Sequence, residues 1–264
     1  MRLLNTATLE FEDFPENKIP KYAILSHTWF KKKEHGSGTG IEQDDEEGET
    51  EYKAFMDLRL RPEADWTRSV RKVKKFCDVA RSLNIEWGWS DTCCTHQQGK
   101  PSELGEAINS MWKWYTSSAL CMVYLWDVES PSSAEQPRKA IGDSEWFTRG
   151  WTLQELLAPQ QMRLYDREWR IIGTRHKLAD RITRRTGIEP RFFGNIDLVK
   201  GASVARRLFW AAGRTTTKPK DIAYCLVGIM DVYMPPRYGS DKKEAFRVLQ
   251  LEFTKKYRDQ SIFA

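Results

Sequence analysis

Glu155 lies in the stretch GWTLQELL, where Trp151, Leu153, Leu156 and Leu157 recur at helical spacing and would anchor one short helix to a core, fixing the direction of the carboxylate. A carboxylate held this way suits cleavage of a glycosidic bond to a cationic leaving group such as nicotinamide. Positive charge develops on the ribose as that bond breaks, and a preorganised anion stabilises it without a metal. A lone glutamate on a helix is far more often a solvated or salt-bridged residue, and composition and spacing alone favour that reading over catalysis. Ser26, His27 and Trp29 close the run YAILSHTW, Ser90 and Asp91 follow a second apolar segment, and Asp127 follows a third. His27 reads as a proton donor or phosphate contact, or else as a hydrogen-bonded packing residue. Ser26 and His27 are adjacent, so an extended chain points them in opposite directions; they cannot pair as nucleophile and base, which argues against a Ser-His-Asp hydrolase. Cys93, Cys94 and His96 are zinc-type ligands with no second pair at finger spacing, so no metal is expected and the cysteines read as small buried hydrophobes. Trp29, Trp87, Trp89, Trp146 and Trp151 surround these motifs, either as core or as platforms for a planar ring. Gly36, Gly38 and Gly40 follow no apolar strand and lack the Lys-Ser/Thr ending of a phosphate loop.

The elements that would position these groups alternate in type. Tyr22 to Ser26 reads as a buried strand. Val70, Val73, Phe76, Cys77, Ala80 and Leu83 form a helix stripe ended near Asn84, and Ile85 to Trp89 a second strand. Leu104, Ala107, Ile108, Met111 and Tyr115 form a second stripe behind a Ser102 cap, and Ala119 to Trp126 is a continuous apolar third strand. Strand, helix, strand, helix, strand at these lengths predicts a doubly wound parallel sheet with right-handed crossovers. Ligands of such sheets bind beyond the carboxyl ends of the strands, which is where Ser26, His27, Asp91, Asp127 and the segment Arg149 to Glu155 would converge. Further on, Trp151 to Leu157 reads as a short helix, Met162 to Tyr165 and Trp169 to Ile172 as strands, and Leu178 to Arg185 as a helix stopped by Gly187. Val204 to Ala212, Asp221 to Met230 and Glu244 to Tyr257 read as three more helices. Residues 31–65 read as a polar and acidic insertion in loop form.

A chain of 264 residues that is 40% hydrophobic and 12% aromatic, with 11 tryptophans, is globular in composition. Five cysteines without framework spacing, and an N-terminus without a signal-type apolar stretch, predict free thiols in the cytoplasm. The longest clean apolar run, Ala119 to Trp126, is far short of the roughly 20 residues of a membrane span, so no membrane partner is expected. The net charge of +5 divides between an acidic run at Glu42 to Glu51 and a basic region at Arg163 to Arg214. No nucleic-acid motif accompanies the basic region, which reads as a solvated face rather than a nucleic-acid site.

The segments YAILSHTW, WSDTCC (Trp89 to Cys94) and TRGWTLQELLAP (Thr148 to Pro159), in this order, resemble the fungal heterokaryon-incompatibility (HET) domain. The similarity extends through INSMWKWY, GASVARRLFWAA and DIAYCLVGIMDV to DQSIFA. The resemblance implies a single domain over 1–264, with an α/β core at 1–175 and a helical extension at 176–264. It also implies a cell-death effector of non-self recognition, driven by an upstream receptor of the nucleotide-binding oligomerisation type. HET domains in turn look related to Toll/interleukin-1 receptor (TIR) domains. ILSHTW, WSDTCC and GWTLQEL align with a TIR pattern in which the last glutamate hydrolyses NAD, so the resemblance implies a TIR-like, flavodoxin-like sheet. Carried over, it makes Glu155 catalytic, with Ser26, His27, Trp29, Asp91, Arg149 and Trp151 lining a pocket for NAD or a related nucleotide as substrate, without a cofactor, in a homo-oligomer. A non-enzymatic module acting by self-association is the alternative. The chain departs from the family pattern at Phe30, where glycine is usual, at Ser90, and at Thr95-His96. A phenylalanine does not readily take positive φ, so the loop beyond Trp29 is expected to differ in shape.

Overall fold

The computed structural model of the chain describes residues 1–32, 44–45, 48–95, 101–129, 141–235, 241–257 and 261–263. The strands among these residues are β1 (Arg2–Asn5), β2 (Phe11–Asp13), β3 (Tyr22–His27), β4 (Lys31–Lys32), β5 (Asp44–Asp45), β6 (Trp87–Trp89), β7 (Leu120–Tyr124), β8 (Met162–Tyr165) and β9 (Ile171–Thr174). β4 and β5 pair only with each other, and the rest form one sheet in the order β2-β1-β6-β3-β7-β8-β9. The pairings of β6, β3, β7 and β8 are parallel. Among these four the chain runs 2-1-3-4, so it reverses direction across the sheet between β3 and β7, the position at which doubly wound sheets open a binding crevice. The expectation of an all-parallel sheet needs correction at both edges. β1 and β2 add antiparallel strands on one side and β9 on the other. These edge strands are short and half polar, with little of the continuous apolar signal that marks a strand buried on both faces.

The helices are α1 (Tyr52–Leu58), α2 (Arg68–Ser82), α3 (Pro101–Ser117), α4 (Thr152–Leu157), α5 (Ala179–Thr186), α6 (Ile196–Gly201), α7 (Val204–Ala211), α8 (Asp221–Tyr224), α9 (Val227–Met230) and α10 (Lys242–Tyr257). α2 begins where the Thr67 side chain accepts from the Val70 N–H. It ends in a left-handed Asn84 (φ 56°), with the Asn84 N–H donating to Arg81 O and the Ile85 N–H to Ala80 O, which turns the chain directly into β6. Gly187 (φ 68°) ends α5 in the same way.

Three expectations change. Within 31–65, residues 52–58 are helical and Phe55 is buried; residues 33–43, 46 and 47, with the Gly36 to Gly40 run, lie outside the described residues. Asp221 to Met230 is two helices, because Ile222 through Val227 are all buried and offer no single stripe to one neighbour. The strand expected from Trp169 starts at Ile171, since Asp166 accepts from the Glu168 and Arg170 N–H groups and forces a tight turn with Trp169 at φ 60°.

One cluster of buried apolar side chains runs from Leu3 to Ile262 and joins both faces of the sheet to the C-terminal helices. The approach of α9 to α3 is especially tight: a Cβ on Gly228 would lie 2.3 Å from Trp112 Cβ. Gly228→Ala is therefore expected to lower stability by about 1–3 kcal/mol through overpacking. Chemical denaturation checks this, with Gly201→Ala as a control, because nothing lies within 4 Å of that position.

Candidate active site

The carboxyl ends of the parallel strands open on a cavity of about 430 Å³, within the usual size range for small-molecule sites. His27, Trp29, Asp91, Arg149, Trp151 and Glu155 all line it. Ser26 does not: it is fully buried behind Glu155, on the opposite face of β3 from His27, as strand alternation requires. Asp127 also stays outside, accepting from the Ser144 hydroxyl at 2.7 Å and the Glu145 N–H at 2.9 Å and so fixing the turn that leads into Trp146.

Glu155 is 3% exposed on α4. The Ser26 Oγ–H donates to its Oε2 at 2.5 Å, and Ser26 Oγ in turn accepts from the Trp146 indole N–H at 2.9 Å. Trp146 therefore sets the direction of the serine hydroxyl, whose only hydrogen is left for the carboxyl. Burial first, and the nearby Asp91 second, push the Glu155 pKa up to about 8 against the hydrogen bonds of Ser26 and Tyr115 and the charge of Arg214. The carboxyl is thus held mainly neutral at pH 7, which the sequence does not reveal.

On the other side of the cavity the Trp29 indole N–H donates to Asp91 Oδ2 at 2.8 Å. His27 Nε2 lies 3.6 Å from Glu49 Oε1 and 3.8 Å from Asp91 Oδ1, and among the described residues neither ring nitrogen has a partner at hydrogen-bond distance. Burial raises the Asp91 pKa despite His27 and Trp29. Glu49 accepts from Lys72 Nζ at 2.7 and 2.8 Å, from the Ser69 hydroxyl at 2.7 Å and from the Phe30 N–H at 3.0 Å. Burial alone would raise its pKa, but Lys72 and His27 hold it well below the usual carboxylate range. Burial lowers the pKa of Lys72 in spite of Glu49. Phe30 packs here as well, with the Arg68 and Lys72 cations 4.4 and 4.3 Å from its ring centre. The residue after Trp29 is thus anchored by its N–H and its ring, without the positive φ that glycine would permit.

The last wall comes from far along the chain. Gly150 N–H donates to Thr215 O at 2.8 Å, Thr215 N–H to Thr148 O at 2.7 Å, and Arg214 Nη1 to Arg149 O at 2.9 Å and Thr152 Oγ1 at 3.1 Å. A Cβ on Gly150 would stand 2.6 Å from Thr216 Cγ2, so glycine is what allows this segment to dock. Thr217, Lys218, Lys220, Asp221 and Tyr224 then complete the lining.

Of the five tryptophans named above, Trp29, Trp89 and Trp151 border the cavity, while Trp87 packs edge-on against Phe14. Cys93 and Cys94 are buried, His96 lies outside the described residues, and no group of metal ligands occurs among the described residues. The basic stretch is not wholly solvated: Arg175 and Arg207 are each 5% exposed, with Arg175 donating to the carbonyls of Leu156, Pro159 and Gln160 behind α4. Glu49 had no distinguishing sign within its acidic run. Lys72 did have one, since Ser69, Lys72 and Phe76 share a face at helical spacing.

Two outcomes follow. Glu155 carries a proton in the fold at pH values where an unfolded glutamate has lost it, so its stabilising contribution is full below about pH 4.5 and falls as pH rises toward 8. The melting temperature of Glu155→Gln minus that of the wild type is therefore expected to increase between pH 5 and pH 8.5, as read by scanning fluorimetry. Glu49→Gln strands the Lys72 ammonium and is expected to cost about 3 kcal/mol; adding Lys72→Met recovers part of that loss in urea unfolding.

Residues 22–135 match the family model described as Heterokaryon incompatibility protein (HET). Over 253 residues the chain is 37% identical to Vegetative incompatibility protein HET-E-1 of Podospora anserina, an alignment covering 90% of this chain and 16% of that protein. No solved structure gives a significant match. No helix among the described residues is long and apolar enough to cross a membrane. Residues 22–135 thus match the heterokaryon-incompatibility (HET) family model, and nearly all of the chain is similar to an incompatibility protein of which it spans 16%.

Proposed function

We propose that the chain is a cell-death effector domain of heterokaryon incompatibility, with a TIR-like core, and that its cavity hydrolyses NAD at the nicotinamide–ribose bond. The incompatibility role follows the family and the name of the relative, of which this chain spans 16%. The observation that carries the chemical reading is a buried carboxyl, Glu155, opening on a cavity bordered by three indoles at the sheet's reversal point.

In this reading an indole face holds the nicotinamide ring, and the ribose C1′ lies by Glu155. The C1′–N bond breaks with its electron pair leaving on nicotinamide, which becomes neutral. The cation left on the ribose is stabilised by ionised Glu155 and then captured by water, whose oxygen bonds to C1′ while its proton passes to Glu155 and on to solvent. Ser26 positions the carboxylate through its one hydrogen bond. With a pKa of about 8 only about a tenth of the free protein is ionised at pH 7, and a cationic substrate favours that form on binding. The domain acts in a self-associated state, under an upstream receptor.

Concentrated protein incubated with NAD is expected to release nicotinamide, seen by chromatography. Glu155→Gln is expected to lower the rate at least ~100-fold. The wild-type kcat/KM should rise about tenfold per pH unit below pH 8 and level off above it. Absence of release by wild type, together with cell killing that survives Glu155→Gln, would leave the self-associating scaffold as the function.

A further inference from the structure

The cavity has two chemically different walls. Trp29, Trp89, Trp151, Asp91 and Glu155 offer flat apolar faces and acids. The segment from Thr217 to Asp221, with Arg149 beside it, offers cations, a hydroxyl and one carboxyl. This second wall is built rather than loose. The Gly150–Thr215 and Thr215–Thr148 hydrogen bonds tie it to the start of α4, Arg149 Nη2 donates to Thr217 Oγ1 at 2.8 Å, and Thr216 Oγ1 donates to Lys218 O at 2.7 Å. The Asp221 N–H then donates to Lys218 O at 2.9 Å, so α8 holds the lysine segment from its far end.

The grouping of the cations, rather than the net charge of the lining, points to an anion here. Arg149, Lys218 and Lys220 are the lysines and arginines of the lining, and its acids are Asp91, Glu155 and Asp221. Burial raises the pKa of each acid, with Asp221 shifted upward in spite of Lys218, Lys220 and a hydrogen bond from Trp151. The Arg149–Thr217 hydrogen bond joins the arginine to the lysine segment, so the three cations are grouped in one part of the lining, with Asp221 the acid next to them in the chain. An arginine fork from Arg149, beside two ammonium groups and a hydroxyl within the four residues Thr217 to Lys220, suits several negatively charged oxygens on neighbouring phosphorus atoms better than one carboxylate.

We propose that Arg149, Thr217, Lys218 and Lys220 form a phosphoryl subsite, and that the ligand of this cavity is a nucleotide carrying two linked phosphates rather than a nucleoside. The indoles and Glu155 take its base or nicotinamide end. Assigning that other end rests on the functional reading above. The subsite itself does not, because it is tested by binding without turnover.

Calorimetry at low salt on Glu155→Gln protein, with ADP, adenosine and inorganic pyrophosphate as probes, separates the possibilities. ADP is expected to bind at least tenfold more tightly than adenosine and than pyrophosphate. Lys218→Ala/Lys220→Ala is expected to weaken ADP at least tenfold and leave adenosine unchanged, and Lys218→Arg/Lys220→Arg to retain ADP binding. Undetectable ADP binding, ADP binding no tighter than adenosine, or full ADP affinity in the alanine variant with an unchanged melting temperature overturns the subsite. Pyrophosphate binding as tightly as ADP overturns the nucleotide assignment. If ADP behaves as expected while wild type fails to cleave NAD, the subsite stands and the hydrolase reading falls.

Discussion

The rest of the site depends on the burial of one carboxyl, Glu155, against one hydroxyl, Ser26. A carboxyl withdrawn from water is costly unless its oxygens are satisfied or it takes up a proton, and here both occur. Ser26 donates to it from the central strand β3, Trp146 orients that serine from the turn before α4, and the raised pKa keeps the group mainly protonated when the cavity holds no cation. The pairing fixes α4 against the sheet at the point where β3 sits between β6 and β7, so one contact sets both the helix and the mouth of the crevice.

Two distant stretches complete the arrangement. Glu49 reaches in from the end of the acidic run and ties Phe30, Ser69 and Lys72 together beneath His27. From the other direction, residues 214–221 fold back onto Gly150 and close the cavity with their lysines. The HET family match ends at residue 135, before Arg149, Glu155 and this closing segment, whereas the 37% identical relative aligns over 253 residues. The chemistry proposed for the cavity therefore needs parts of the chain on both sides of that boundary.

Much of this was legible in the residues. β3, β8, α2, α7 and α10 lie within a residue or two of where periodicity and capping place them, because each has either a continuous apolar run or a one-sided stripe. The convergence of His27, Asp91, Arg149 and Glu155 followed from strand ends alone. What escaped has physical reasons. β1 and β2 are short edge strands with half-polar faces, α1 lies in a segment whose composition suggests loop, and α8 and α9 are buried all round, so no stripe marks their break. Ser26 was expected to face the ligand, but strand alternation that points His27 into the cavity turns Ser26 behind it. The lysines at 218 and 220 became visible as site residues only through the long-range docking of their segment on Gly150.

Carbon-13 NMR of the glutamate side-chain carboxyls, titrated from pH 4 to pH 10 with Glu155→Gln to assign the signal, tests the state of the central group most directly. A resonance that titrates near pH 8 and is lost in the variant is expected. A Glu155 signal titrating near 4.5, as in an unfolded chain, would mean that the carboxyl is neither desolvated nor held as described, and would contradict a buried, mainly protonated Glu155.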